Sequence, residues 1–301
     1  MTPAQLPRRP RGFAYSAALA ALLAVAAGGP LAYPAGAETN TEPKWHDRVE
    51  EALAEARSTD RLILVDLYAE WCGWCKKLEK DVFSTTRFAQ VAENYVLLRV
   101  DVEDAGEGMR LQDRFDARNL PTTLIIDADL VRIGTIRGYF PAPTFVTRID
   151  AQVARWQKFM EGYRRDVVSE DPQVLRSLAE ALRRRSDGAR AAAIYRRLLT
   201  REDVAVEGED WLRLLLADSL RLSRDFAGAA QAVADFAPED PTLTEALSLF
   251  RVHLARDRQD CAGTSAAVDA FVAEHPTSRF RREARFTLSR LQQDIQAECA
   301  G

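Results

Sequence analysis

Two short apolar runs, "RLILVDLYA" (Arg61 to Ala69) and "YVLLRVDV" (Tyr95 to Val102), set the terms on which this chain can fold. Each is too brief for a helix and reads as a buried strand. Helix-periodic segments surround them. Lys44 to Arg57 places Trp45, Val49, Leu53 and Ala56 on one face. After Cys72, the residues Cys75, Leu78 and Val82 share a face, and Ser84 and Thr85 can cap a further turn through Phe88, Val91 and Ala92. Residues Gly106 to Asp116 form another helix on Met109, Leu111 and Phe115.

Two strands of hairpin character follow, Thr122 to Ala128 and Val131 to Gly138, and a helix runs from near Pro141 to about Tyr163. The order α-β-α-β-α-β-β-α predicts a mixed sheet covered by helices on both faces. Beyond Tyr163 the strand signals vanish, and seven helix-periodic segments succeed one another. Ala192 to Leu199, Ala230 to Ala237 and Ala266 to Ala273 can be superposed at offsets of 38 and 36 residues, with Pro241 and Pro276 closing two of the units. This pattern resembles degenerate tetratricopeptide repeats, the alternative being an ordinary helical bundle. The predicted organisation is a segment 1–37, an α/β domain over 38–163 and an all-α, tetratricopeptide-like domain over 164–301. The boundary falls near Arg164 to Asp171, before a helix opened by Pro172.

Residues 1–37 read as an export signal. Arg8, Arg9 and Arg11 precede the 14-residue apolar run Ala14 to Ala27, and Ala35-Gly36-Ala37 has the small-x-small form of a cleavage site. An uncleaved anchor is the alternative, although 14 residues is short for spanning hydrocarbon. Removal would leave 264 residues carrying 38 basic and 45 acidic side chains. That balance does not recommend nucleic acid as a partner. The expected location is periplasmic or otherwise exported, where thiols tend toward oxidation.

Within "YAEWCGWCKKLE" (Tyr68 to Glu79), Cys72 and Cys75 stand between a predicted strand and a predicted helix. A zinc site needs about four ligands. The remaining candidates, Cys261, Cys299, His46, His253 and His275, have no ligand spacing, and His253 reads as a surface histidine. A permanent staple across two residues removes little unfolded-state entropy. Thiolate chemistry fits better. Cys72, in the first turn of the helix, meets unpaired N–H groups and the positive end of the dipole, which favour a negative sulfur. Cys72 is then the exposed attacking thiol, and Cys75, one turn further in, the shielded thiol that resolves a mixed disulfide. No cofactor and no metal are called for. Asp66 interrupts the apolar run "LILVDLY", where an acid is costly without a role. Desolvation should raise its pKa and suit it to take a proton from Cys75, the alternative being an inert hydrogen-bonded acid.

The stretches "LVDLYAEWCGWCKKLEKDVFS", "NLPTTLIID" and "IRGYFPAPTF", in this order, make residues 61–150 resemble the thioredoxin family. Within it, the C-terminal thioredoxin-like domains of DsbD-type electron-transfer proteins are the most similar. The resemblance implies an α/β thioredoxin fold, Cys72 as nucleophile, Cys75 as resolving cysteine, Asp66 as the buried acid and Pro121 as a cis proline. A cis Pro121 would leave the Leu120 backbone free to pair with an extended substrate segment. Trp71 and Trp74 flank the pair and suggest an apolar contact surface, although tryptophan more often simply packs. The implied activity is thiol:disulfide oxidoreduction on disulfide-bearing exported proteins, with a membrane thiol as electron donor and a protein partner on the helical repeats. A binding or assembly module with an auxiliary dithiol, and a disulfide isomerase, are the alternatives. The sequence departs from the family in that Trp74 replaces thioredoxin's proline, Leu97 stands about where thioredoxin has a lysine near its buried acid, and no histidine lies between the cysteines. Cys261 and Cys299 are expected to form a structural disulfide, with free thiols or a second redox pair as alternatives.

Overall fold

The computed structural model describes residues 43–103, 106–201 and 208–278. Five strands form one mixed sheet in the order β1-β3-β2-β4-β5: β1 (Trp45–His46), β2 (Leu62–Tyr68), β3 (Tyr95–Asp101), β4 (Thr122–Ile126) and β5 (Arg132–Arg137). β1 and β2 lie parallel to β3, whereas β4 is antiparallel to both β2 and β5. The register pairs Leu62 with Tyr95 and Asp66 with Arg99.

Because successive strand residues point to opposite faces, β2 feeds two cores at once. Ile63, Val65 and Leu67 join Leu53 of α1 (Val49–Thr59) and Leu111 of α4 (Glu107–Arg114). Leu64 turns the other way, toward Leu78 of α2 (Gly73–Leu78), Phe88 of α3 (Thr86–Ala92) and Phe145 of α5 (Ala142–Asp166). A π-helical turn, Glu79–Phe83, prolongs α2. Gly134 of β5 lets α5 approach closely, since a Cβ there would lie 2.4 Å from Cβ of Gln152.

The predicted helix over Lys44 to Arg57 starts later than its periodicity suggests. Trp45 belongs to β1, opposite Leu97, and its ring packs 5.0 Å from Phe83 and 6.0 Å from Phe88. Strand pairing and aromatic burial together outweigh local helical preference. The helix begins at Val49, whose N–H donates to the Glu107 carboxylate at 2.7 Å.

α5 serves both regions. Ile149, Val153 and Trp156 pack on the sheet, whereas Phe159 and Tyr163 pack with the buried side chains of α6 (Pro172–Arg183), α7 (Gly188–Leu199) and α8 (Glu209–Leu222). Then come α9 (Phe226–Ala232), α10 (Pro241–Asp257) and α11 (Cys261–Glu274). α9 stops short of the segment expected to reach Ala237. The hairpins α6/α7, α8/α9 and α10/α11 share one turn. A residue with positive φ (Ser186, Arg224 or Gln259) precedes an aspartate (Asp187, Asp225 or Asp260) whose carboxylate caps the next helix. Each aspartate N–H donates back to the carbonyl of Leu182, Leu220 or Ala255. The three superposable alanine-rich segments therefore lie in or run on from the second helix of successive hairpins.

Polar contacts hold this helical region against the sheet domain. The Arg132 N–H donates to the Arg185 carbonyl at 2.7 Å, Arg114 donates to the Leu222 carbonyl at 2.6 Å, and Arg256 pairs with Asp113 at 3.4 Å. A cleft of about 720 Å³ remains between α4 and α10, with Arg110, Arg114, His253 and Arg256 among its walls. His253 is thus not the surface histidine expected. Burial, with Arg256 and Arg221 nearby, pushes its pKa down to about 3. The 1–37 segment and Cys299 lie outside the described residues, so the expected Cys261–Cys299 disulfide does too. Among the described residues no helix is long and apolar enough to cross a membrane.

Candidate active site

Cys72 and Cys75 form a disulfide with S–S 2.08 Å and Cα–Cα 5.2 Å. Cys72 sits one position earlier than expected, as the N-cap of α2, where its sulfur accepts the Cys75 N–H at 3.1 Å. A sulfur in that place takes the part usually played by a serine or aspartate oxygen, satisfying one of the helix's unpaired donors. The Cys72 carbonyl accepts from Cys75 and Lys76, and its N–H donates to Ala69, so the whole turn is fixed by main-chain bonds. The expected contrast in exposure is not present in this oxidised pair. Cys72 is 4% exposed and Cys75 1%, because both sulfurs turn into the same apolar cluster. The exposed groups are Trp71, at 68%, and Trp74, at 59%.

Trp74 lies against Tyr139, ring centroids 5.7 Å apart. The Tyr139 hydroxyl donates to Asp81 at 3.0 Å, and Lys77 donates to the same carboxylate at 2.6 Å. The Leu120–Pro121 peptide is cis. Leu120 packs on the cluster that includes both cysteines, and the Pro121 carbonyl accepts the Gly138 N–H at 2.9 Å.

Asp66 is fully buried, and neither carboxylate oxygen has a hydrogen-bond partner. Loss of hydration raises its pKa to about 7, the Arg99 charge opposing the rise and the Glu79 charge adding to it. Arg99 Nε stands 3.4 Å from Asp66 Oδ2, near enough to attract but not bonded. The two terminal nitrogens of Arg99 are committed to Glu79, at 2.5 and 2.9 Å. That fork holds the Glu79 carboxyl below its ordinary range. Glu79 stands four residues after Cys75 and donates its N–H to the Cys75 carbonyl. One ion pair thus links the buried acid to the helical turn that carries Cys75.

Arg99 is the residue that sequence reasoning missed. Leu97, expected beside the acid, pairs with Leu64 instead and packs into the apolar core. The signal was present: Asp66 is fifth in "LILVD" and Arg99 fifth in "YVLLR", and the parallel register sets fifth opposite fifth. Among the described residues no group of three histidine, cysteine or carboxylate side chains is placed to hold a metal ion.

Residues 44–128 match the family model described as thioredoxin-like. This stretch is a thioredoxin-like domain. The chain is 34% identical over 106 residues to the thiol:disulfide interchange protein DsbD of Cronobacter sakazakii, covering 34% of this chain and 18% of that protein. It is 33% identical over 102 residues to DsbD of Pseudoalteromonas atlantica, covering 33% and 17%. The chain therefore spans about a fifth of the length of these curated relatives. The solved C-terminal domain of Neisseria meningitidis DsbD in the oxidised form aligns at 19% identity and a TM-score of 0.31, covering 34% of this chain and 90% of that domain.

Proposed function

We propose that this chain is an exported thiol:disulfide oxidoreductase that reduces disulfides in exported client proteins. The observation that carries the reading is the Cys72–Cys75 disulfide at the N-cap of α2, with the Cys72 sulfur on the Cys75 N–H. The N–H and the helix dipole that hold this sulfur would also stabilise a thiolate, lowering the pKa of the attacking group. In the reduced chain, the Cys72 thiolate attacks a client disulfide. A mixed disulfide forms, and the first client sulfur leaves and takes a proton from water. Cys75 then gives its proton to Asp66 and attacks the Cys72 sulfur. The second client thiolate departs, and the Cys72–Cys75 disulfide remains. Two electrons have passed to the client, and a membrane dithiol donor restores the pair.

Asp66 suits the acceptor role because an acid titrating near neutrality can both take a proton and return it. Trp71, Trp74 and the Leu120–Pro121 segment would contact the client, with main-chain pairing at Leu120. The three like-turned hairpins support a repeat reading of the tetratricopeptide type, and such arrays present surfaces suited to a protein partner. The proposed boundaries remain 38–163 and 164–301. Truncation at 171 is nevertheless a poor test of them, since it would uncover Phe159 and Tyr163. Equilibration of the full-length dithiol with glutathione tests the direction of electron flow. A reductase sits well below the glutathione couple, and a potential at the strongly oxidising end would overturn the reductase reading.

A further inference from the structure

The Asp66–Arg99–Glu79 trio has a division of labour that the disulfide chemistry alone does not require. Arg99 emerges from β3 beside a fully buried acid, yet gives its two-pronged edge to a carboxylate half exposed at the surface. Its guanidinium lies over the Tyr68 ring, 4.3 Å from the centroid. Only Nε faces Asp66, at 3.4 Å and without a hydrogen bond, and both Asp66 oxygens are left unbonded. The charged and titratable groups around the acid are Arg99 from β3, Glu79 from the π-helical turn and Tyr68 from β2, with Lys76 acting on Glu79. An arginine freed from Glu79 could turn a terminal nitrogen onto Asp66 and hold it ionised. An arginine removed altogether would leave a buried acid facing no cation.

We propose that Arg99 is a positioning residue, held off Asp66 by Glu79, and that this restrained cation governs whether Asp66 can take the proton of Cys75. Glu79 is then an outer lever on an inner acid. This deepens the proposed function and rests on it for the role of Cys75. It makes a prediction that a merely structural ion pair does not: deleting the two partners of one salt bridge moves Asp66 in opposite directions. Glu79→Gln lets Arg99 approach and removes a repelling charge, so Asp66 titrates at lower pH. Arg99→Gln leaves desolvation and Glu79 unopposed, so Asp66 titrates at higher pH.

Two readouts on the full-length chain test this. The first, on the oxidised protein, is the pH dependence of the stability difference between each variant and the same variant carrying Asp66→Asn; it reports the Asp66 titration without any client. The expected displacement is about one pH unit down for Glu79→Gln and about one up for Arg99→Gln, with Arg99→Lys between Arg99→Gln and the unsubstituted chain. In the Arg99→Gln background the Glu79→Gln displacement should shrink, because most of it acts through Arg99. The second readout is the pH profile of client disulfide reduction, whose acidic limb should move with the titration. Displacements in the same direction, no displacement, or a titration that moves while the rate profile stays fixed would each overturn the proposal. If the unsubstituted chain shows no reduction dependent on Cys72 and Cys75, the proposed function fails, and the stability titration still decides the clamp.

Discussion

Replacing Asp66 with asparagine should stabilise the oxidised protein, and by more as the pH rises. The carboxyl titrates at about 7 in the folded chain, against an ordinary 3.8. Between those values the folded state holds a proton that the unfolded state has released, so stability falls as pH increases. The penalty is small below the unfolded value and grows until the folded carboxyl itself ionises. One pH unit corresponds to roughly 1.4 kcal/mol, so the two-state expression puts the burden at roughly 2 kcal/mol at pH 5 and roughly 4 kcal/mol at pH 8. The asparagine side chain would share the poor hydrogen bonding of the protonated acid but cannot ionise. The gain from Asp66→Asn should therefore increase by roughly 2–3 kcal/mol between pH 5 and pH 8.

Denaturant unfolding at fixed temperature is the suitable assay, with the Cys72–Cys75 bond intact so that neither thiol titrates. Equal denaturant slopes in the two proteins would let their midpoints be compared directly, and a ΔΔG constant across pH would then be a repacking effect. Parallel stability curves from pH 5 to pH 8 would refute the assignment of a near-neutral acid at position 66. A gain that grows on acidification would reverse its sign and sink the argument altogether.

Four further outcomes are expected. Cys75→Ala should accumulate a client joined to Cys72 that survives non-reducing electrophoresis, whereas Cys72→Ala should trap nothing. Trp74→Ala should slow client reduction roughly three- to tenfold, with unfolding stability altered by less than about 1 kcal/mol, because Trp74 is exposed and touches Tyr139 at the surface. Gly134→Ala drives a Cβ into Gln152, where β5 meets α5, and should cost about 1–3 kcal/mol in chemical denaturation without changing the pH–rate profile. Asp218 joins Arg183 of α6 to Arg221 of α8, and these cations hold its carboxyl below the ordinary range although burial opposes them. Asp218→Asn should cost about 3 kcal/mol at neutral pH, measured by denaturant unfolding. This stability is present above the unfolded carboxyl value and lost as pH falls, opposite in slope to Asp66.

The elements most legible in the sequence were those whose pattern is enforced by burial on both sides. β2 and β3 could be drawn within a residue or two because Leu62–Tyr68 and Tyr95–Asp101 are apolar throughout except where a charge intrudes. The helical region was legible from its apolar period alone. Asp171, Asp187, Asp225, Asp240 and Asp260 cap α6, α7, α9, α10 and α11, and an aspartate before an apolar period marks a helix start by its chemistry, a signal the periodicity reading left unused. β1 was not legible. Two residues carry no period, and Trp45 fits a helix face as well as a strand, so only the partner strand distinguishes them.

The candidate site divides along the same line. Cys72 and Cys75 are local in sequence, and their chemistry follows from a single helix end. Arg99 is 33 positions from Asp66 and meets it only through the register of two parallel strands. Parallel register is set by crossover packing rather than by a turn motif, so no short stretch specifies it. The charges themselves do carry the information. A buried carboxylate is expensive alone, and the alignment of the two apolar strands that sets Asp66 opposite Arg99 gives it a cation. Here that alignment also completes the hydrophobic pairing of Leu64 with Leu97 and Val65 with Leu98. The test of that reasoning is a paired neutralisation. Asp66→Asn should gain more stability in the Arg99→Leu background than in the unsubstituted chain, because without the cation the acid is costlier to ionise in an apolar site. If the gain from Asp66→Asn at pH 8 is no larger in Arg99→Leu than in the unsubstituted chain, the two charges are not coupled and strand packing alone accounts for the alignment.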